Sequence, residues 1–335
     1  MRLIHTTTME IKEFTLPAAV EEVYAILSHV WDKDEQSFQD VQRIHARCAE
    51  TGERPQSLFS EKILRSCQLA ESHGYQWLWI DTCCIDKTSS AELSEAINSM
   101  FQYYSRSAVC YAYLRDVPTH NALVPKFNAL VTTVGAEGDR PSTYVPSDSP
   151  FSESIWHTRG WTLQELVAPR HVLFLSLTWD VIGSRADLAE ELEAVTRVPK
   201  SVLQLSQKAS EISIMRRMSW ACRRKTTRVE DEAYALLGIF NVNMPTLYGE
   251  GRRAFQRLQE EIMRTHHDTT LFAWGNCGPL TRGKFGLIDQ TSERTTGILA
   301  ASPSDFQATF YDYDLMVPER SSRSWVRVPI CSFVS

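Results

Sequence analysis

Residues 77–114 read WLWIDTCCIDKTSSAELSEAINSMFQYYSRSAVCYAYL, and this stretch decides the fold class. A short apolar run ends in Asp81, a helical stretch follows, and a second apolar run begins at residue 108. Within the helical stretch, 91–104, apolar residues recur at spacings of three and four, which is the period of one buried helix face. Two apolar strands separated by a helix predict parallel strands in a sheet that is covered by helices on both faces.

Further segments extend this pattern to either side. Residues 24–31 (YAILSHVW) and 171–177 (HVLFLSL) are short apolar runs, as expected of buried strands. Residues 1–11 mix β-branched and apolar residues and predict an edge strand. Residues 57–73 predict a helix that Gly74 ends. The first half of the chain is therefore predicted to be an α/β domain built on a parallel sheet.

The pattern changes further along the chain. Pro, Gly, Ser and Asp without a period predict a long surface loop at about 119–149. Residues 154–166 and 184–195 predict helices, and short strand-like pieces such as TLFAW at 270–274 follow later. We therefore expect three parts, namely an α/β domain over 1–183, a helical region packed on it over 184–268, and a β-rich C-terminal segment over 269–335.

The composition is that of an ordinary soluble globular protein. Of the 335 residues, 43% are hydrophobic and 23% are charged, and the formal net charge is −6. A negative chain is not drawn to nucleic acid, and the basic group at 216–228 is typical of a solvated helix face. No stretch approaches the ~18 apolar residues of a membrane span, and the N-terminus lacks the apolar core of a signal peptide. We expect a cytoplasmic protein with no nucleic-acid partner and no membrane span.

The eight cysteines follow no metal-binding pattern. No CxxC pair occurs, and Cys83 and Cys84 are adjacent, which is unsuited to a zinc site. Most of the cysteines lie in apolar runs, as Cys110 does, and are expected to be reduced and buried. The sequence therefore predicts neither a metal site nor a bound cofactor.

Three blocks of the sequence together resemble the motifs of the fungal heterokaryon incompatibility (HET) domain family. They are residues 24–31, residues 77–114, and WHTRGWTLQELVAPRHVLF at 156–174. Residues 218–262 also resemble the tail that is common in fungal members, so the resemblance covers most of residues 1–275. It implies a part in fungal self/non-self recognition, in which the activated domain triggers programmed cell death.

The HET blocks are in turn similar to Toll/interleukin-1 receptor (TIR) domains, which have a flavodoxin-like fold. The block RGWTLQEL at 159–166 resembles the Trp-Cys-x-x-Glu-Leu block of TIR domains, with Trp161 and Glu165 in register and Thr162 in place of the cysteine. In NAD-cleaving TIR domains this glutamate is catalytic. The resemblance thus implies a TIR-like sheet, NAD+ as a possible substrate, and Glu165 as the candidate catalytic residue.

A single carboxylate suits this chemistry. Cleavage of the nicotinamide–ribose bond passes through an oxocarbenium-like transition state, which a nearby carboxylate stabilises or captures. The nicotinamide leaves as a neutral group from a cation, so a second carboxylic acid is not required, and Trp161 would stack on a flat base. The alternative is that Glu165 forms a buried ion pair with Arg159 or Arg170. In that case Trp161 is a core residue.

Other motif residues are candidates for the same site. Ser28 and His29 end the first parallel strand and would line a pocket, although His29 is otherwise a core histidine without a metal partner. Asp81 or Asp86 would hydrogen-bond a ribose hydroxyl, or else Asp81 caps the turn that follows it. Glu92 is a further candidate, or else it complements the dipole of the helix that it begins. The remaining motif residues assigned to the site are Trp31, Arg159 and Gln164.

Two functions from different classes fit these patterns. In the first, the domain is an enzyme that cleaves NAD+ and kills the cell. In the second, it is a non-catalytic signalling module that acts by self-association and partner recruitment. In either case we expect self-association through the α/β domain, under the control of an upstream receptor or a fused sensor domain. The two functions differ in whether the pocket near Glu165 is open and polar or filled by side chains.

Overall fold

The computed structural model describes residues 1–14, 23–118, 149–275 and 298–307. Within these ranges one sheet has the strand order β2-β1-β4-β3-β5-β6-β7. Its strands are β1 (Arg2–His5), β2 (Ile11–Glu13), β3 (Tyr24–His29), β4 (Trp77–Trp79), β5 (Val109–Tyr113), β6 (Val172–Leu175) and β7 (Val181–Ser184). The predicted loop at 119–149 lies outside the described residues except for Ser149, and so does most of the predicted β-rich segment.

The centre of the sheet is parallel, as predicted. β3 pairs in parallel with β4 and with β5, and β5 pairs in parallel with β6. Taken in chain order, these four strands are arranged 2-1-3-4, which is the flavodoxin-like order. All residues of β3 and β5 are buried, because both faces of these strands are covered.

The complete sheet is mixed rather than parallel, which corrects the prediction for the rest of the fold. β1 pairs antiparallel with both β2 and β4, and β7 pairs antiparallel with β6. β1 is therefore an interior strand, and β2 and β7 form the edges. The β1–β2 hairpin turns at Met9, which has a φ of +65°. Glycine or asparagine usually signals this conformation, so the turn has no sequence signal.

Helices connect the parallel strands and dominate the second half of the chain. In the described residues the α-helices are α1 (Phe38–Thr51), α2 (Glu61–Ser72), α3 (Ser90–Arg106), α4 (Pro150–Glu153), α5 (Thr162–Val167), α6 (Ala189–Thr196), α7 (Lys200–Leu203), α8 (Ile214–Ser219), α9 (Asp231–Tyr234), α10 (Leu237–Phe240) and α11 (Arg253–Thr265). α1 and α2 lead from β3 to β4, whereas α3 leads from β4 past β3 to β5. Right-handed crossovers therefore place α3 on the opposite face of the sheet from α1 and α2.

Serine caps set the starts of the predicted helices. The side chain of Ser89 caps α3, which confirms the helix predicted over 91–104. Ser60 caps α2, so this helix begins later than the predicted 57–73. Gly74 follows the end of α2 with a φ of +84°, as expected of a glycine that ends a helix.

The predicted helix at 154–166 is interrupted. A 3-10 turn spans Ile155–Thr158, and α5 begins only after Gly160 and Trp161. The N–H of Gly160 donates to the carbonyl of Lys225 over 2.9 Å, so this backbone is paired with the helical region instead of with the preceding turn.

Two later predictions also require correction. The helix predicted at 184–195 begins only at Ala189, because Ser184 is the last residue of β7. The piece at 270–274 lies largely in a 3-10 turn, Thr269–Phe272, rather than in a strand.

The helical region packs directly against the α/β domain. A Cβ atom at Gly238 in α10 would lie 2.1 Å from the Cβ of Phe101 in α3, so only glycine permits this approach. Buried residues of both parts belong to one hydrophobic core. Across the described ranges, no helix has both the length and the apolar character needed to cross a bilayer.

Candidate functional site

The candidate catalytic residue, Glu165, is buried beside the end of β3. The hydroxyl of Ser28 donates a hydrogen bond to Oε2 of Glu165, and the indole Nε1 of Trp156 donates to Oγ of Ser28 over 2.8 Å. Ser28 and Trp156 are fully buried, and Glu165 is 8% exposed. These three side chains form one hydrogen-bonded chain that joins the first and third sequence motifs.

This chain of hydrogen bonds lies at the carboxyl ends of the parallel strands. Ser28 is in register with Ala112 near the end of β5. β3 and β5 flank the point at which the strand order reverses, and open α/β sheets bind ligands at that point. The structure thus brings Ser28 and Glu165 together at the predicted edge of the sheet.

The environment of Glu165 favours its neutral form. Burial raises the pKa of Glu165 to about 8, and the negative charge of Asp81 acts in the same direction. The hydrogen bond from Ser28, the nearby hydroxyl of Tyr104 and the positive charge of Arg224 act in the opposite direction. Burial therefore favours the protonated form of this carboxyl group.

Glu165 does not form an ion pair with Arg159 or Arg170, which corrects that alternative. The side chain of Arg159 donates to Oγ1 of Thr227 over 3.1 Å, and Arg170 is exposed. In the part of the chain that the structure describes, no side-chain nitrogen of lysine, arginine or histidine lies within 4.0 Å of the Glu165 carboxyl oxygens.

Asp81, His29 and Trp31 form a second group at the same edge of the sheet. The indole of Trp31 donates to Oδ2 of Asp81 over 2.7 Å, so Asp81 binds this indole. Nε2 of His29 lies 3.9 Å from Asp81 and 3.6 Å from Glu35, and neither ring nitrogen has a hydrogen-bond partner among the described residues. Burial lowers the pKa of His29. Because successive strand residues point to opposite faces, His29 and Ser28 face opposite sides of β3.

An open cleft of about 630 Å³ adjoins this second group. It is lined by Trp31, Asp32, Lys33, Asp34 and Arg115. Trp31 is 52% exposed, and Nζ of Lys87 lies 3.6 Å from the centre of one of its rings. The cleft thus has an aromatic wall and charges of both signs, whereas Glu165 does not line it.

Asp86 and Glu92 stabilise the segment between β4 and α3. Oδ1 of Asp86 accepts from the N–H of Thr88 over 2.9 Å, and Oε1 of Glu92 accepts from the N–H of Asp86 over 2.9 Å. Glu92 also pairs with Arg2 of β1. The hydrogen bonds from Thr88 hold the pKa of Asp86 below its usual range. Both carboxylates therefore accept hydrogen bonds from the local backbone, and Glu92 also pairs with β1.

Trp161 and Gln164 flank Glu165 in sequence but have different surroundings. Trp161 is half-buried, and its indole lies near the carboxyl group of Asp231 in α9, where it opposes the rise that burial causes in the pKa of that group. Gln164 is buried, and its Nε2 has no hydrogen-bond partner within the described ranges. Trp161 thus links α5 to the helical region.

Comparison with known proteins identifies the family. Residues 24–165 match the family model of the heterokaryon incompatibility protein (HET). The chain is a HET domain protein. Ser28 lies within the matched segment of this HET domain, and Glu165 is its last residue. Residues 253–313 match a separate family, described as a domain of unknown function (DUF8212).

A curated relative agrees with this assignment. The vegetative incompatibility protein HET-E-1 of Podospora anserina is 41% identical to the HET domain protein over 250 residues, which is 74% of this chain. The matched segment is 16% of the relative's length, so the chain spans about a sixth of that protein. No solved structure matches the chain.

Arg224, which lies outside the HET match, is a residue near Glu165 that the sequence did not single out. Its Nη1 donates to the carbonyl of Arg159 over 2.7 Å and to Oγ1 of Thr162 over 2.8 Å. The prediction of a solvated basic face at 216–228 is wrong for Arg224, whose Nη2 is buried, and for Arg217, which is 3% exposed.

Proposed function

We propose that this HET domain protein acts in heterokaryon (vegetative) incompatibility, as an effector whose activation triggers programmed cell death. The support is the HET match and the relative, whose name states vegetative incompatibility. That relative is several times longer than the chain, which agrees with a HET domain that works beside a fused sensor domain or an upstream receptor.

We further propose that the death signal is the cleavage of NAD+ at Glu165. The observation that carries this proposal is the chain of hydrogen bonds from Trp156 through Ser28 to Glu165 at the strand-order switch point. A buried carboxyl group with a pKa near 8 is more typical of a functional site than of a surface. Once ionised, Glu165 would stabilise the sugar cation that develops as nicotinamide leaves.

Unpaired polar groups near Glu165 support a functional role. Nε2 of Gln164 and Nη2 of Arg224 are buried without hydrogen-bond partners in the described part of the chain. Such groups are rare in folded proteins, because each costs about 1–3 kcal/mol. The retention of these two groups beside Glu165 agrees with selection for function there rather than for stability.

The closure of the site favours a second candidate function. Ser28 and Trp156 are fully buried and Glu165 is 8% exposed, so side chains fill the space around the carboxyl group. A filled site is what a non-catalytic signalling module would have, acting by self-association and partner recruitment. Catalysis would require the site to open, and we propose that self-association supplies this opening.

One experiment separates the two candidates. The full chain is forced to self-associate by a fused oligomerisation tag, incubated with NAD+ and assayed for free nicotinamide, with the dilute untagged chain in parallel. The catalytic proposal expects nicotinamide from the assembled sample and little or none from the dilute monomer. Cell killing by an assembled chain that releases no nicotinamide would instead support the non-catalytic module.

A further inference from the structure

The backbone of the helical region runs beside the segment that leads into α5. The N–H of Lys225 donates to the carbonyl of Thr158 over 2.7 Å, and the N–H of Gly160 donates to the carbonyl of Lys225 over 2.9 Å. A Cβ atom at Gly160 would lie 2.4 Å from Cγ2 of Thr226, so a larger residue would push the two segments apart. This contact therefore fixes the helical region against the helix that carries Glu165.

The same contact brings the guanidinium group of Arg224 to the start of α5. Besides the bonds from Nη1 to Arg159 and Thr162, Nε donates to the carbonyl of Trp220 over 3.2 Å. Nη2 is buried and has no acceptor among the described residues. A buried charged donor without an acceptor costs free energy. Arg224 therefore has one donor nitrogen, with two N–H bonds, free for an acceptor nearby.

Titratable groups face Glu165 from several of the elements packed around it. Tyr104 approaches from α3, Cys110 from β5, and Asp81 from the end of β4. Arg224 approaches from the helical region and is the cation in this set. Tyr104 and Cys110 both have their pKa raised by burial, so both stay neutral. The charge balance around an ionised Glu165 therefore depends on Asp81, which opposes it, and on Arg224, which favours it.

We propose that Arg224 is a positioning residue of the Glu165 site, and that its free Nη2 receives the Glu165 carboxylate when that group loses its proton. The helical region is then part of the site, and the segment 24–165 alone is incomplete. Burial lowers the pKa of Arg224 and the charge of Glu165 opposes this, as expected of two buried groups that interact. The proposal concerns the charge of Glu165 and does not depend on NAD+ cleavage.

The test is the pH dependence of the stability of the full chain. Thermal unfolding is followed from about pH 5 to about pH 10 for the wild type and for Arg224→Met, each with and without Glu165→Gln. Loss of a nearby opposite charge should move the midpoint of the Glu165 titration up by about one pH unit. In the Glu165→Gln background, Arg224→Met should lower the melting temperature equally at every pH.

Arg217→Met is the matched control. Arg217 is a buried arginine of the same region, and it donates to the carbonyl of Ile239 over 2.8 Å. Its loss should lower the melting temperature without moving the Glu165 midpoint. The proposal is overturned if Arg224→Met also leaves the midpoint in place.

Arg224→Gln keeps the test decisive if Arg224→Met does not fold. The glutamine side chain is polar and can still hydrogen-bond its surroundings, but it carries no charge. We therefore expect Arg224→Gln to raise the Glu165 midpoint by about as much as Arg224→Met. An unchanged midpoint in a folded Arg224→Gln sample would overturn the proposal as well.

Discussion

The hydroxyl of Ser28 donates a hydrogen bond to the carboxyl group of Glu165, which lies 137 residues further along the chain. This bond joins the end of β3 to α5, and therefore the first HET motif to the third. Because both partners are buried, the free energy of folding depends on whether Glu165 carries a proton.

Rising pH should destabilise the folded chain through Glu165. Folding raises the pKa of this group from 4.5 to about 8, so the folded chain keeps a proton that the unfolded chain loses. The stabilising contribution of protonated Glu165 is fully present below its pKa in the unfolded chain. It is lost as the pH rises through its pKa in the folded chain. We expect the free energy of unfolding to fall by up to about 1.4 kcal/mol per pH unit within this window. Urea unfolding at several pH values measures this slope. Glu165→Gln should remove the slope, and a slope that persists in the variant would show that another group titrates.

Trp156→Phe should cost stability through a lost hydrogen bond. The phenyl ring remains apolar and fits the site, but it cannot donate to Ser28 as the indole does over 2.8 Å. Trp220→Phe is the matched control, because Trp220 is 2% exposed and its Nε1 has no partner among the described residues. We expect urea unfolding to show that Trp156→Phe costs about 1 kcal/mol more than the control. Equal costs would mean that the bond to Ser28 contributes nothing.

Gly160→Ala should destabilise the chain by about 1–3 kcal/mol, as overpacking usually does. The added methyl group would lie 2.4 Å from Cγ2 of Thr226. Thr226→Ser removes that methyl group and keeps the hydroxyl that donates to the carbonyl of Arg228 over 2.6 Å. The double variant should therefore recover much of the stability in urea unfolding. If it is no more stable than Gly160→Ala, the close contact between the two segments is not the cause.

The sequence predicts the centre of the sheet well because its signal is local. The apolar runs at 24–31 and 171–177 and the periodic helix at 91–104 each carry their own pattern, and all three elements form. The antiparallel strands are harder to place, because the hairpin turn at Met9 uses a residue that rarely adopts a positive φ. The break before α5 depends on backbone hydrogen bonds with Lys225, and no local sequence pattern predicts these bonds.

In the candidate site, too, the sequence predicts some residues and misses those that depend on tertiary contacts. Ser28 and Glu165 belong to motifs at the ends of predicted elements, so their meeting at one edge of the sheet was predictable. Arg224 looks like its exposed neighbours in a basic run, and its burial depends on the tertiary contact at Gly160. Trp156 is a motif residue, but no pattern separates a tryptophan that donates a hydrogen bond from one that only fills the core.

A matched pair of glutamine substitutions gives the control for the central claim. Glu250 of the helical region pairs with Arg257 over 2.5 Å, whereas Glu165 has no such partner among the described residues. Glu250→Gln should therefore lower the melting temperature and retain activity per folded molecule. Glu165→Gln removes no ion pair, its amide oxygen accepts from Ser28, and it stays neutral without binding a proton, so at neutral pH it should be at least as stable as the wild type.

The most direct measurement is the release of nicotinamide from NAD+ by assembled wild type and assembled Glu165→Gln, with melting temperatures recorded on the same samples. Glutamine cannot supply the negative charge that would stabilise the sugar cation. The account predicts release by the wild type and none by Glu165→Gln, with a melting temperature for the variant that is no lower than that of the wild type. Nicotinamide release by a folded Glu165→Gln sample at the wild-type rate would contradict it.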